Sequence, residues 1–268
     1  MNTKTSESLI HEAYIENDEE VYWSLIAELH KRGTVNEFNL SVKLCKSDDP
    51  IDREIGADIL GQLGWQQKAF QEESISILID LLSDPIDDVI TSAAYALGHR
   101  NSFEAIKPLL GHKNHPNSRV RHSVVFGLLG LEDTEAISCL IELSEDKDDE
   151  VRNWATFGLG SQIDVNTGDI RDALEKRLTD SVSEIRGEAF VGLATRGCNS
   201  IIDVLIKELN GDDIGVLMLE AAEILASPSL YSPLKTIQNA LKDDDSDYFI
   251  SRLSEALDSC SKSCKNKP

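Results

Sequence analysis

Few residues in this chain are spaced for covalent chemistry. His11 opens the segment HEAYI, which begins like the H-E-x-x-H helix of a zinc protease, but Ile15 stands where the second ligand must be. Without that ligand one helical face cannot hold the metal. His112 and His115 share the loop GHKNHPN, yet no carboxylate or thiol accompanies them, and Lys113, Arg119 and Arg121 repel a divalent ion. Cys260 and Cys264 form a C-x3-C pair, whereas a structural zinc site needs four ligands and no second pair or nearby histidine is present. Neither a G-x-S-x-G elbow nor a G-x-x-x-x-G-K phosphate loop occurs, so serine-triad hydrolysis and P-loop nucleotide use lack their positioning elements. No catalytic residue, metal or cofactor is expected.

What remains is the chemistry of recognition. Forty-eight acidic against 26 basic residues leave a net charge of -22, which repels phosphate backbones and anionic membranes. The expected partner is therefore another protein, with a basic segment favoured, rather than nucleic acid or a membrane. A chain of 268 residues with 41% hydrophobic and only 6% aromatic content can fill a large core, mainly with aliphatic side chains. The longest nearly apolar run, Val124 to Leu131, is far short of the roughly 20 residues that cross a bilayer, and the polar start MNTKTSES lacks a signal-peptide core. Five cysteines, an odd number, suit reduced thiols. A cytoplasmic protein is the expectation.

The elements that must carry any recognition site follow from an internal repeat. Anchored on their first aligned apolar residue, eight segments begin at Val21, Ile55, Val89, Val120, Val151, Ile185, Leu217 and Phe249, in steps of 31 to 34 residues. Eight positions after each anchor stands a leucine: Leu29, Leu63, Leu97, Leu128, Leu159, Leu193, Leu225 and Leu257. Apolar residues at offsets 0, 4 and 8 project within about 80° of one another on a helix, so each segment is an amphipathic helix. Asp87, Ser118, Asp149, Ser183 and Asp247 stand where first-turn amides need acceptors. A second helical stretch separates these helices, over Glu73 to Leu82, Phe103 to Leu110, Thr134 to Leu143, Ile170 to Leu178 and Ile201 to Leu209. Each unit is thus a helical hairpin too small to bury its own stripe, and stacked copies share one core. The fold class is all-α, an α-solenoid of about eight hairpins. Residues 1–17 are expected to be a cap helix or disordered, 18–258 the solenoid, and 259–268 a disordered tail.

The pattern D-x-V-R-x-x-A-x-x-G-L-G, carried by Asp149, Val151, Arg152, Ala155, Gly158, Leu159 and Gly160, resembles HEAT repeats, particularly the short kind named after phycobilisome lyases. The resemblance spans roughly residues 18 to 258. It implies that the second helix of each hairpin lines a concave side, and that Arg121, Arg152 and Arg186, at offset 1, pair with an aspartate of an adjoining unit such as Asp149 or Asp180. It does not imply one activity, since the scaffold serves many tasks.

Offset 6 lies about 160° from the buried leucine and should face outward. There three consecutive units carry Tyr95, Phe126 and Phe157, with Val191 beyond. Exposed aromatic clusters usually mark binding surfaces, although solenoid curvature can also tuck such rings into the core. Flanking offsets supply Asp58, Trp154 and Glu188, and also His122 and Asn153. Asp58 and Glu188, four units apart on the same offset, are too distant to act as a paired acid and base. The expected function is a non-enzymatic scaffold that binds a protein segment at Asp58, Tyr95, His122, Phe126, Asn153, Trp154, Phe157 and Glu188; its size and charge also suit a bacterial immunity or regulatory protein. The alternatives are a bilin-lyase-type enzyme or its accessory subunit, and a HEAT-like DNA glycosylase, which the acidic surface disfavours.

Overall fold

The computed structural model describes residues 4–64, 69–241 and 246–265, the last four by backbone alone. The acidic run Asp243–Asp245 and the side chain of Cys264 lie outside what is described. Eight helical hairpins follow one another: α1 (Ser6–Ile15) with α2 (Glu19–Arg32), α3 (Val35–Leu44) with α4 (Pro50–Gln62), α5 (Gln71–Leu81) with α6 (Asp87–Arg100), and α7 (Ile106–Leu110) with α8 (Ser118–Leu128). Then come α9 (Thr134–Leu143) with α10 (Asp149–Ser161), α11 (Gly168–Arg177) with α12 (Ser183–Thr195), α13 (Ile202–Leu209) with α14 (Val216–Leu225), and α15 (Tyr231–Ala240) with α16 (Asp247–Lys265). The protein is an all-helical α-solenoid among the described residues, and none of its described helices is long and apolar enough to cross a membrane.

The chain divides into two compact units, Met1–Cys139 and Leu140–Pro268. In unit 1, α4, α6 and α8 pack in succession; in unit 2, α10, α12, α14 and α16 do so. The leucine stripe forms the core as its spacing dictates: Leu29, Leu63, Leu97, Leu128, Leu159 and Leu193 are wholly buried. The end hairpins depart from it. Val21 is 44% exposed, and in α14 Met218 and Ala222 are buried while Leu217 and Leu225 are part-exposed.

Helix caps sit just before the residues expected. Asn117, Asp148 and Ser246, rather than Ser118, Asp149 and Asp247, accept the first-turn amides of α8, α10 and α16. An N-cap needs extended backbone to fold its side chain over the first turn, so it must precede the first helical residue. α6 and α12 have no side-chain cap; there Asp84 and Asp180 accept instead the N–H groups of the N-cap residues Ile86 and Val182, ahead of the first turn.

The arginines fix the repeat register. Arg53, Arg121, Arg152 and Arg186 each stand four residues after the N-cap residue of their helix. Each donates from Nη1 to the carbonyl six residues before itself, those of Ser47 (2.9 Å), His115 (2.8 Å), Asp146 (2.9 Å) and Asp180 (3.0 Å). Arg53 thus occupies offset 1, and the anchor of α4 is Asp52 with Leu60 at offset 8, three residues earlier than the Ile55–Leu63 alignment. An acid at the anchor hides this register from an apolar pattern. Asp58 then belongs at offset 6, alongside Tyr95 and Phe126.

Near the N-terminus Ser6–Ile15 form a helix capped by Thr5. At the other end α16 runs to Lys265, so the tail expected from residue 259 is helical up to that point. Leu253, Ala256, Leu257 and Cys260 continue a buried i, i+3, i+4 stripe, and the Cys260 thiol donates to the carbonyl of Ala222 at 3.5 Å.

Candidate partner-binding site

In unit 1, α6 and α8 bring Tyr95, His122 and Phe126 together. The Tyr95 hydroxyl and His122 Nδ1 are hydrogen-bonded at 2.6 Å, and the Tyr95 and Phe126 rings meet edge-on with centroids 5.2 Å apart. His99 approaches Phe126 in the same way at 5.1 Å. Gly98 makes this possible: a Cβ there would lie 2.7 Å from the Phe126 ring. All three site side chains are half-buried, neither sealed like the leucine stripe nor fully open.

Asp58, on α4, is also half-buried, and its carboxylate is taken up internally. It accepts the hydroxyl hydrogens of Tyr22, at 2.6 Å, and Ser92. Burial pushes its carboxyl up to about 6, against the pull of those two hydroxyls. Glu54, one turn earlier on α4, is raised to about 7 by burial and then by the charges of Asp88 and Asp58. Tyr22, Glu54 and Ser92 did not stand out in the sequence; the i, i+4 spacing of Glu54 and Asp58 was the available signal. Asp58 is therefore first a structural acid, held by its own chain.

This burial has a checkable sign. A carboxyl whose pKa rises on folding binds its proton more tightly in the folded chain, so stability falls as pH rises from about 4 to about 6 and stays reduced above. Asp58→Asn removes that titration. Between pH 4.5 and 7.5, wild type should lose more stability than the variant by about 2 kcal/mol. Urea midpoints at the two pH values measure it, and equal losses would refute it.

In unit 2, α10 carries Asn153, Trp154 and Phe157, and α12 carries Glu188. The rings of Trp154 and Phe157 meet edge-on at 5.6 Å, and both are half-buried. Asn153 Oδ1 is buried and accepts no hydrogen bond among the described residues. Glu188 accepts from Ser161; burial and then the like charge of Glu220 push it up to about 7. Val191, expected at the end of the aromatic stripe, is instead core, 6% exposed.

The arginine ladder is structural. Arg53 pairs with Asp84 at 2.7 Å, Arg152 with Asp180 at 3.1 Å, and Arg186 with Glu208 at 3.0 Å. Two further arginines were not legible in the sequence. Arg100 and Arg196 donate to the carbonyls at the C-terminal ends of α4 and α10, including those of Leu60 and Leu159. The arginines between residues 100 and 121 are thus spent within the chain. Arg100 and Arg121 serve carbonyls, Arg119 pairs with Asp88 at 2.9 Å, and His115 Nε2 lies 3.7 Å from Asp87. Among the described residues no group of three or more His, Cys, Asp or Glu is placed to hold a metal ion.

Comparison with known proteins agrees with this architecture. Residues 78–160 and 106–194 match the family model of HEAT repeats. The protein YibA of Escherichia coli strain K12 is 29% identical over 224 residues, covering 81% of this chain and 79% of that protein. The X-ray structure of E. coli YibA superposes with a TM-score of 0.70 at 26% identity, over 96% of this chain and 98% of that one. Kap95p, in its complex with RanGDP, shares the fold with a TM-score of 0.63 at 16% identity, over 97% of this chain and 42% of its own. With the family model on the central hairpins, and the same cap and arginine positions returning in α4, α8, α10 and α12, residues 78–194 are similar to HEAT repeats and the solenoid around them repeats the same design.

Proposed function

We propose that this protein is a non-catalytic scaffold that captures a segment of another protein on the second helices of its hairpins. The observation that carries the reading is an aromatic pair in each unit, Tyr95 with Phe126 and Trp154 with Phe157, whose rings pack on one another and stay half-buried instead of entering the leucine core. Rings of this kind supply large contact area at small entropic cost, the composition of an interface hot spot. His122 and Asn153 flank them with polar atoms, and Glu188 provides the acidic edge. Asp58, engaged by Tyr22 and Ser92, acts through the shape of unit 1 as much as through its charge. The net charge of -22 favours a basic segment as partner. Solved HEAT-type structures of the same fold include Kap95 with RanGDP and with Nup1, so this class of scaffold holds proteins.

The test compares wild type with the Tyr95→Ala, Phe126→Ala, Phe157→Ala variant in affinity capture read by mass spectrometry, at low and moderate salt. A set of proteins retained by wild type and lost by a variant that keeps its melting temperature is the expected result. Equal retention by both would overturn the reading. A variant that melts far lower would assign the rings to packing, since truncating a core phenylalanine costs about 3–5 kcal/mol.

A further inference from the structure

Unit 2 arranges acids along α12, α14 and α16, and one place among them is already filled. Arg252 on α16 lies 2.9 Å from Glu223 and 3.8 Å from Glu220, and also pairs with Glu255. Glu188 on α12 is the next acid along. It senses Glu220 as a like charge and accepts a hydrogen bond from Ser161, and among the described residues no cation forms an ion pair with it. Ser161 follows Phe157 by four residues on α10, which places it on the same helical face one turn further on. The Glu188 carboxylate is therefore held at Ser161, one turn beyond Phe157 on α10, and the Phe157 ring stands edge-on to Trp154.

A half-buried carboxylate with a like-charged neighbour and no paired cation, one helical turn from part-exposed aromatic rings, is a poor place for water and a good one for a guanidinium. Such a group can donate two parallel hydrogen bonds to the carboxylate while its plane lies against a ring. An ammonium is compact and strongly hydrated, and satisfies only the charge. Arg252 shows within the same chain which cation the neighbouring acids accept.

Building on the protein-binding reading above, we propose that Phe157, Trp154 and Glu188, with Glu220 as a second acid, form a docking surface for an arginine side chain of the partner segment. The acid supplies direction and the rings supply the floor, so the surface selects arginine over lysine and over uncharged side chains of the same shape.

The probe is a fluorescein-labelled Gly/Ser peptide with an Arg-Leu-Arg centre, set against the same peptide with citrulline or lysine in place of arginine. Binding to the full chain is read by anisotropy. Wild type should prefer the arginine peptide over the citrulline peptide about tenfold, the worth of one charge-assisted pair in a part-buried setting, with lysine between them. Glu188→Gln should bring that preference within about twofold at an unchanged or higher melting temperature, because the repulsion with Glu220 is relieved. Equal affinity for the arginine and citrulline peptides, no detectable binding of the arginine peptide, or a preference that survives Glu188→Gln would each overturn the proposal. The two readings fail separately. If the ring-truncated variant loses its captured proteins while Glu188→Gln retains them, protein binding stands and arginine docking falls. If ring truncation leaves capture intact, the scaffold reading falls, and the peptide preference alone decides the arginine surface.

Discussion

Replacing Arg100 with alanine should destabilise unit 1 by about 3–5 kcal/mol, as expected when a buried charged network loses its centre. The residue is only 4% exposed, and burial draws its guanidinium down to about 10. It remains charged at neutral pH because every direction it faces offers an acceptor. Nε donates to the Leu60 carbonyl at 2.8 Å, Nη2 to that of Leu63 at 3.2 Å, and Nη1 to the Ala69 carbonyl at 3.3 Å and Gln71 Oε1 at 3.1 Å. Gln71 returns the bond, donating to the Arg100 carbonyl at 2.8 Å. The carbonyls at the end of α4 have no helical partner and no easy access to water, so truncation strands them as well as leaving a void. Arg100→Lys, with one donor centre in place of a fork, should recover less than half of the loss. Chemical denaturation of the three proteins measures both effects. A loss below about 1 kcal/mol for the alanine variant would mean that water replaces the guanidinium at this site.

Gly192→Val should have an effect of similar size in unit 2. A Cβ at Gly192 would lie 2.6 Å from the Gly160 Cα and 3.0 Å from Leu174 Cδ1. The first neighbour is backbone, so no side chain can swing away, and α10 and α12 must part. Separating two packed helices by even a fraction of an ångström reduces dispersion contacts along their whole length. Overpacking of this kind costs about 2–4 kcal/mol, or a fall of roughly 10 °C in melting temperature for a unit of this size. Gly168→Ala is the matched control, because nothing lies within 4 Å of its added methyl. Should both variants melt together, the close approach of α10 and α12 would be unimportant to stability.

The hairpins were legible because their signals are local and recur. Val151, Ala155 and Leu159 read as one helical face in any window, and the leucine at offset 8 carries that reading from α2 through α12. Register failed at α4 for a definable reason: the anchor position holds Asp52, and the eye moves to Ile55. The distance from cap to arginine, Asp49 to Arg53 as Asn117 to Arg121 and Asp148 to Arg152, would have corrected it. The candidate site was legible in its residue types but not in its degree of burial. Periodicity places Tyr95, Phe126 and Phe157 opposite the leucine stripe, whereas the hydrogen bond to His122, the bare Gly98 under Phe126 and the edge-on partners are set between neighbouring helices. Arg100 and Arg196 gave no sequence signal, since a buried arginine and a surface arginine are the same letter. The helix past residue 259 was readable: Cys260 continues the interval set by Ala256 and Leu257, but a polar, lysine-rich composition masked it.

Asp180 is where three helices of two successive hairpins in unit 2 are tied at a single residue. Its carboxylate takes Arg152 of the preceding hairpin and lies 3.6 Å from Arg177 of its own, while its carbonyl takes Arg186 of the helix that follows. Such knots work like the teeth of a zipper, each closed only when its neighbours are. Towards the C-terminus the teeth are missing, because the positions one after the aligned apolar anchor in α14 and α16 hold Met218 and Ile250 in place of arginine. Unit 2 should therefore unzip from α16 inward, and α10 with α12, which present the aromatic rings and Glu188, form the stretch that stays closed longest while the far end breathes.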